Sequence, residues 1–369
     1  MGEKKLLKGC EAIGEAAVQA GAKYFFGYPI TPQSEVPEYL SKRLPEVGGV
    51  FLQAESEVAA SNMLYGAAGA GVRVFTTTSS PGYSLMQEAV SYMAGSELPC
   101  VIVNIVRGGP GLGGILPSQG DYKQATRGGG HGDYRTPVLA PSTVQEAADL
   151  MIDAFDLADK YRNPILVLGD GLIGQMMEPV EFKQRSPVVV DKPWATTGAV
   201  GRKPNIINSL YLDAPTLERH NIKLKAKYDA FERDERRWEE YGAKGKLDVL
   251  LVAYGTVARV CKTAVDEMTR QGLKVGLFRP ITLWPFPMPE LRAAARQAKA
   301  ILDVELSTGQ MVEDVRATMA EKVPVHFYGR VGGIVCTPEE VAFHAGRVIK
   351  GEQVNTIGEY AGLTTAVTA

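Results

Sequence analysis

The sequence predicts an α/β protein of two parallel-sheet units, and three observations predict it. Short apolar runs alternate with helix-patterned stretches up to about residue 175. The runs 100–106 and 165–168 are apolar almost without a break, as strands covered on both faces are. The same alternation resumes at Leu247 after a polar interruption. At 369 residues the chain also exceeds what one ordinary core holds.

In chain order, residues 10–20 carry a small-residue helix that stops at Gly21, and Tyr24, Phe25 and Phe26 form a strand. The turn 27–32, Gly-Tyr-Pro-Ile-Thr-Pro, opens a helix. A strand at 50–52 leads into an Ala-rich helix over 56–70. A strand at 72–76, a helix beginning near Pro81 and the apolar strand 100–106 follow. Beyond a glycine-rich stretch, strands at 138–139 and 165–168 flank a helix at 143–160. Residues 1–175 therefore read as a doubly wound α/β unit. Residues 176–245 change character, with prolines, a basic stretch and a charged run at 231–240 that reads as a solvated helix; they make a connector. A smaller α/β unit covers 246–350, with strands at 249–253, 275–278, 300–304 and 325–327 and an amphipathic helix at 257–271. Residues 351–369 form a C-terminal tail.

A charged fraction of 22% and a formal net charge of −2 argue against a nucleic-acid or membrane-surface role, which would call for a basic excess. No apolar run reaches the roughly 18 residues of a spanning helix. The start, Met-Gly-Glu-Lys-Lys-Leu-Leu-Lys, lacks an apolar signal core, so a cytoplasmic protein is expected. Cys10, Cys100, Cys261 and Cys336 are far apart, whereas zinc and iron–sulfur centres need clustered thiolates. Isolated buried thiols are expected, and any cluster would sit on another chain.

Three segments could carry chemistry. In 27–32, Thr31 and Pro32 stand where a helix cap and its first residue belong, and such a start favours anions. Helix capping accounts for Thr31; holding a carboxylate is the functional alternative. Glu55 and Glu57 enter a helix of small residues, either as dipole compensation or with one carboxylate buried and able to share a proton with a ring nitrogen. Arg107 follows the apolar strand 101–106 directly, at the carboxyl end where α/β sheets bind ligands, and its planar fork suits a carboxylate. The glycines of 108–114, and those of 128–132, suit a mobile loop over a site. The spacing Gly109-x-Gly111-x-x-Gly114 nominally fits a dinucleotide fingerprint, but Ile115-Leu116-Pro117 is a poor helix start. Gly169-Asp170-Gly171 resembles the opening of a magnesium–diphosphate motif, yet the Asn-Asn pair that completes it is missing, so no metal is expected on this chain.

Together these segments resemble the α subunits of the 2-oxoacid:ferredoxin oxidoreductases. The resemblance runs over essentially the whole chain. It rests on Gly-Tyr-Pro-Ile-Thr-Pro at 27–32, Ala-Glu-Ser-Glu at 54–57, Thr-Thr-Ser-Ser-Pro-Gly at 77–82 and Asn-Ile-Val-Arg at 104–107. Pro-Ser-Gln-Gly-Asp-Tyr at 117–122 and Pro-Ser-Thr-Val-Gln-Glu at 141–146 add to it. The 2-oxoisovalerate (3-methyl-2-oxobutanoate) type is most similar, with 2-oxoglutarate and pyruvate types nearby.

The resemblance implies that 1–175 is the pyrimidine-binding half of a thiamine diphosphate site and that 246–350 resembles the transketolase C-terminal domain. Glu57, with Glu55 as the less favoured candidate, would bond the pyrimidine nitrogen. Pro29 and Ile30 would approach the ring through backbone atoms, and Thr31 and Arg107 would contact the substrate's carboxylate or carbonyl. It also implies a β subunit carrying the diphosphate and Mg2+, a γ subunit, a ferredoxin-like subunit, [4Fe-4S] clusters on these partners and external ferredoxin. The reaction would be oxidative decarboxylation of a 2-oxoacid to acyl-CoA and CO2, with coenzyme A taking the acyl group. A non-oxidative thiamine enzyme subunit is the nearest alternative, and a nucleotide-binding or scaffolding protein the alternative from another class. A branched aliphatic substrate needs only apolar walls. 2-Oxoglutarate needs a second cation, for which Lys123, Arg127 and Arg135 are the candidates.

Overall fold

A computed structural model describes residues 4–182, 190–320 and 322–358. The first unit opens with β1 (Lys4–Lys8), α1 (Gly9–Gln19), β2 (Tyr24–Gly27), α2 (Glu35–Glu46) and β3 (Val50–Gln53). It continues through α3 (Glu57–Gly69), β4 (Val74–Thr78), α4 (Ser80–Gly95), β5 (Cys100–Val106) and the short α5 (Tyr122–Arg127). β6 (Val138–Leu139), α6 (Val144–Tyr161), β7 (Pro164–Asp170), α7 (Gly171–Gln175) and β8 (Met177–Glu181) follow. Then come the long α8 (Ala214–Asp234), β9 (Trp238–Gly242), β10 (Val249–Val252), α9 (Gly255–Arg270), β11 (Val275–Pro280) and β12 (Thr282–Trp284). The described residues close with α10 (Met288–Ala294), β13 (Ile301–Glu305), α11 (Met311–Met319), β14 (Val325–Gly329), α12 (Pro338–Ile349) and β15 (Asn355–Ile357).

Among the described residues the strands form a seven-stranded sheet in the order β12-β6-β7-β5-β4-β2-β3 and a six-stranded sheet in the order β15-β14-β13-β10-β11-β9. A separate antiparallel pair joins β1 to β8. In the large sheet β2 to β7 are parallel, and its centre, β5 and β7, is buried at every position. Helices on both faces explain those unbroken apolar runs. Two helices start on side-chain caps that the sequence supplies, Ser56 Oγ accepting from Ala59 N and Thr143 Oγ1 from Glu146 N, but Thr31 and Pro32 do not open α2, which begins at Glu35 after Ser34. Exposed α8 is capped by Asp213 and buries Leu224, Tyr228 and Phe231, a single stripe at helical spacing.

Several expectations need correction. The strand expected at 72–76 runs two residues later, bringing Thr76, Thr77 and Thr78 into the buried sheet. The helix expected through 231–240 stops at Asp234, and Trp238–Gly242 is instead a strand antiparallel to β11. Its inward residue is charged, which hid the alternation: Glu239 pairs with Arg279 at 2.7 Å and Lys262 at 2.6 Å. The second sheet thus takes β9 from the segment read as connector and β15 from the segment read as tail. β12 leaves the second unit to pair with β6 of the first sheet. One apolar core runs across both units, joining Met86, Tyr122 and Leu168 to Tyr254, Phe278 and Met311. Residues 359–369 of the expected tail lie outside the described residues. No helix among the described residues is long and apolar enough to cross a membrane.

Candidate active site

The carboxyl ends of β2, β4 and β5 lie side by side, so the turns that follow them meet at one edge of the sheet. After β2 the turn is held from below by Gln33, which is fully buried: its amide donates to Tyr28 O at 3.2 Å and receives the Thr77 hydroxyl. This support leaves Pro29 and Thr31 exposed and Ile30 half-buried at the edge.

Arg107 follows β5 and folds back over this turn. Its Nη1 donates to Thr31 O at 3.0 Å and its Nη2 to Leu112 O at 3.1 Å. The side chain is only 8% exposed, yet both contacts are neutral carbonyls, and the buried Nε has no partner. A guanidinium in this state has donors to spare and, among the described residues, no counter-charge.

Glu57 is the first residue of α3 and is 5% exposed, whereas Glu55 is exposed. Among the described residues nothing donates a hydrogen bond or ion pair to the Glu57 carboxylate. It abuts Gly82 in the first turn of α4: a Cβ added there would fall 2.4 Å from Glu57 Oε1 and 2.2 Å from Thr78 Oγ1. Only glycine fits, and the buried hydroxyls of Thr78 and Ser79 beside it are also without partners. The same turn of α4 reaches Arg107, since Ser80 Oγ accepts from Arg107 N at 3.1 Å. Thr31 and Arg107 are thus one directly bonded group, Glu57 a second, and α4 bridges them.

Gln33, Thr78, Ser80, Gly82, Asn104 and Asp121 also belong to this site, five of them within the motifs at 77–82, 104–107 and 117–122. The available signal was polar residues inside apolar strands. Fully buried Asn104 accepts from Ser80 N at 2.8 Å and donates to Asp121 Oδ2 at 2.9 Å. Burial pushes the Asp121 carboxyl up, against the bonds from Ser80 and Asn104 that favour its charge. Asp121 and Arg107 line a cleft of about 630 Å3 closed on its far side by Ser307, Thr308 and Gln310 of the second unit.

The other candidates are engaged elsewhere. Lys123 pairs with Glu313 at 2.8 Å and Arg127 with Asp314 at 2.5 Å, fastening α5 to α11. Arg135 donates to Tyr134 O at 3.0 Å and lines a separate cavity beside α8. Asp170 caps α7, accepting from Leu172 N at 2.9 Å and Ile173 N at 3.1 Å through one oxygen. The four cysteines are buried and unpaired. The glycines at 128–132 do not lie over the cleft but pack on α4, where Gly129 N donates to Gln87 Oε1 at 2.9 Å.

Comparison with known proteins shows the family. Residues 15–238 match the model of the thiamine-diphosphate-binding domain of pyruvate flavodoxin/ferredoxin oxidoreductases, and 247–341 match core domain II of pyruvate:ferredoxin oxidoreductase. The ketoisovalerate oxidoreductase subunit VorB of Methanothermobacter marburgensis is 49% identical over 89% of this chain and 93% of its own length. The 2-oxoglutarate synthase subunit KorA of Methanothermobacter thermautotrophicus is 37% identical over 92% of this chain and 98% of its own. Among solved structures, the 2-oxoglutarate:ferredoxin oxidoreductase of Magnetococcus marinus, with 2-oxoglutarate, coenzyme A and succinyl-CoA bound, superposes with a TM-score of 0.85 at 28% identity. That match covers 94% of this chain and 66% of the other, so this chain spans about two thirds of that one. With a thiamine-binding unit of this kind leading a second unit that resembles the transketolase C-terminal domain, the chain belongs to the pyruvate flavodoxin/ferredoxin oxidoreductase family and is a subunit of a 2-oxoacid:ferredoxin oxidoreductase.

Proposed function

We propose that this subunit supplies the substrate-anchoring and pyrimidine-binding half of an active site that oxidatively decarboxylates a branched-chain 2-oxoacid, with 2-oxoisovalerate as preferred substrate. The observation that carries the proposal is the buried, uncompensated guanidinium of Arg107 beside Thr31. A group with spare donors and no counter-ion is suited to a carboxylate. Lys123 and Arg127 are paired with Glu313 and Asp314 of α11, which favours a monocarboxylate over 2-oxoglutarate.

Glu57, Gly82 and Thr78 fit the pyrimidine of thiamine diphosphate. A buried carboxylate with no donor among the described residues can hold a ring nitrogen, and the missing Cβ at Gly82 lets that carboxylate lie against the first turn of α4. Thiamine diphosphate, when bound, supplies the carbon nucleophile for the 2-oxo carbon and takes up the electrons released with carbon dioxide. Glu57 would hold and exchange a proton with the pyrimidine nitrogen. Glu55, exposed to solvent, is less suited to that role. Pro29 and Ile30 would meet the ring through backbone atoms, while Thr31 and Arg107 would fix the carboxylate and orient the 2-oxo group.

The remaining half belongs, on this reading, to partners: a β subunit holding the diphosphate and Mg2+, a γ subunit, and a ferredoxin-like subunit with [4Fe-4S] clusters that passes electrons to ferredoxin. Exposure of Tyr28, Leu52, Val58 and Leu85 around the open edge supports a covering chain. The test is anaerobic, coenzyme-A-dependent reduction of ferredoxin by the co-expressed complex with 2-oxoisovalerate, 2-oxoglutarate and pyruvate in parallel. Preferred reduction with 2-oxoisovalerate is expected. Preference for another acid would overturn the substrate, and no reduction by a cofactor- and cluster-loaded complex would overturn the activity.

A further inference from the structure

We propose that Asp121 is the proton acceptor for the thiol of coenzyme A in the acyl-transfer step, which adds a catalytic residue to those that hold the 2-oxoacid. The inference rests on the reading of this subunit as half of a coenzyme-A-dependent active site with Arg107 as carboxylate anchor.

The carbon that loses its carboxylate as carbon dioxide is the same carbon that the thiol later attacks. Arg107 therefore marks the neighbourhood into which the sulfur must come. Arg107 lines the cleft of about 630 Å3, and among the described residues around that cleft only Arg107 and Asp121 carry charged side chains. The others are glycines, prolines, hydroxyls, amides and aliphatic groups, so Asp121 is the one group there suited to take up a proton.

The local structure sets this carboxyl apart. Asp121 stands at the cap position of α5, yet its side chain makes no capping bond to that helix. It meets Asn104 instead, a fully buried amide inside apolar β5 that accepts from Ser80 N at 2.8 Å and donates to Asp121 Oδ2 at 2.9 Å. The backbone just before it is fixed as well, since Gln310 Nε2 donates to Gly120 O at 2.6 Å. Arg107 bonds to the carbonyls of Thr31 and Leu112 and not to this carboxyl. The other ionisable neighbours do not compete for the proton. Burial pushes the Tyr83 and Tyr254 hydroxyls above the ordinary tyrosine range, and Lys123 and Arg127 are paired with Glu313 and Asp314. Burial also raises the Asp121 carboxyl, which makes it a stronger base toward a thiol than a solvated carboxylate is.

Once carbon dioxide has left and the electron carriers of the complex have taken two electrons, the acyl carbon accepts the coenzyme A sulfur. The S–C bond forms and the S–H proton passes to Asp121. The bond between the acyl carbon and the cofactor breaks, its electron pair returning to the cofactor carbon, and Asp121 releases the proton to solvent before the next turnover.

The test follows kcat/KM for coenzyme A from about pH 6 to about pH 9 in the assembled parent complex and in Asp121→Asn. Coenzyme-A-independent release of carbon dioxide and calorimetric binding of coenzyme A are measured beside it. A thiol of pKa about 8.5 is roughly 3% ionised at pH 7, so a variant left to react with thiolate alone should lose about 10- to 30-fold there. The loss should shrink as pH rises and fall below about threefold near pH 9. Carbon dioxide release should lose at least about fivefold less, and Kd for coenzyme A should change by less than about threefold, because a proton acceptor acts after binding. Normal kcat/KM at pH 7, a loss equal at every pH, an equal loss in carbon dioxide release, a loss of binding as large as the fall in kcat/KM, or failure of the variant to assemble would overturn the role. Inactivity of the loaded parent complex with all three 2-oxoacids would instead overturn the activity on which the inference rests.

Discussion

Arg107 and Arg279 are both buried arginines at or near the carboxyl ends of strands, and their surroundings are opposites. Arg279, in β11, gives two bonds to Glu146 at 2.7 and 2.8 Å and a third to Glu239 at 2.7 Å. Arg107 meets only two carbonyls and keeps a buried nitrogen without a partner. Carboxylates repeat the contrast. Glu305 accepts from Ser307 Oγ and from the backbone N–H of Gln310, Met311 and Val312, whereas Glu57 accepts from none of the described residues. Glu305 and Arg279 belong to the second sheet and the seam, where both are answered within the chain, whereas Asp303 in the same sheet has neither oxygen bonded and burial pushes its carboxyl up toward the neutral form. Glu57 and Arg107 belong to the edge of the first sheet, where they are not. Buried charge is costly unless it is met. The lesson is that the balance of partners, more than burial itself, separates the scaffold from a site awaiting a ligand.

The contrast can be broken by mutation. Glu57→Gln should have the largest effect, lowering turnover of the complex by roughly 10²- to 10⁴-fold with little change in unfolding, as read by steady-state ferredoxin reduction. Arg107→Ala should lower kcat/KM by roughly 10²- to 10³-fold for every 2-oxoacid that the complex uses. Arg279→Met should do the reverse: it takes the shared guanidinium from Glu146 and Glu239 and costs about 2–4 kcal/mol in denaturant unfolding, while the folded complex keeps its turnover. That figure is below the full penalty for a broken buried pair because both carboxylates retain solvent contact.

Asp121→Asn is the mildest. Burial raises the Asp121 carboxyl, so the folded chain holds that proton more tightly than the unfolded chain does. Stability from this group is full at acid pH and falls as pH rises through the folded-state value. The amide can keep the bond from Asn104 without the charge. The variant should therefore gain on the parent as pH rises above about 4, by roughly 1–4 °C in Tm, and match it in acid.

Much of the first sheet was legible because its strands are locally apolar and its turns carry glycine and proline. Arg107 was legible for the same reason, being the first charge after six residues of strand. The choice between Glu55 and Glu57 was not, because it depends on which one faces α4 once α3 is packed. β9 was illegible since Glu239 is satisfied by Arg279, 40 residues further on, and local pattern cannot register a distant partner. The same limit hid the cleft, whose walls come from segments separated by nearly 200 positions, as Gln119 Nε2 on Tyr254 O and Gln119 N on Leu306 O illustrate. The glycines of 108–114 read as loop in the sequence, and in the structure Gly113, at φ +61, lets Gly114 N reach Gly108 O at 2.9 Å.

The most direct measurement is turnover and unfolding of the same assembled complex carrying Arg107→Ala. The account predicts a loss of roughly 10²- to 10³-fold in kcat/KM with an unfolding midpoint equal to or above that of the parent, because an unanswered buried charge has been removed. Normal turnover, or a stability loss as large as that of Arg279→Met, would contradict it and make Arg107 part of the scaffold.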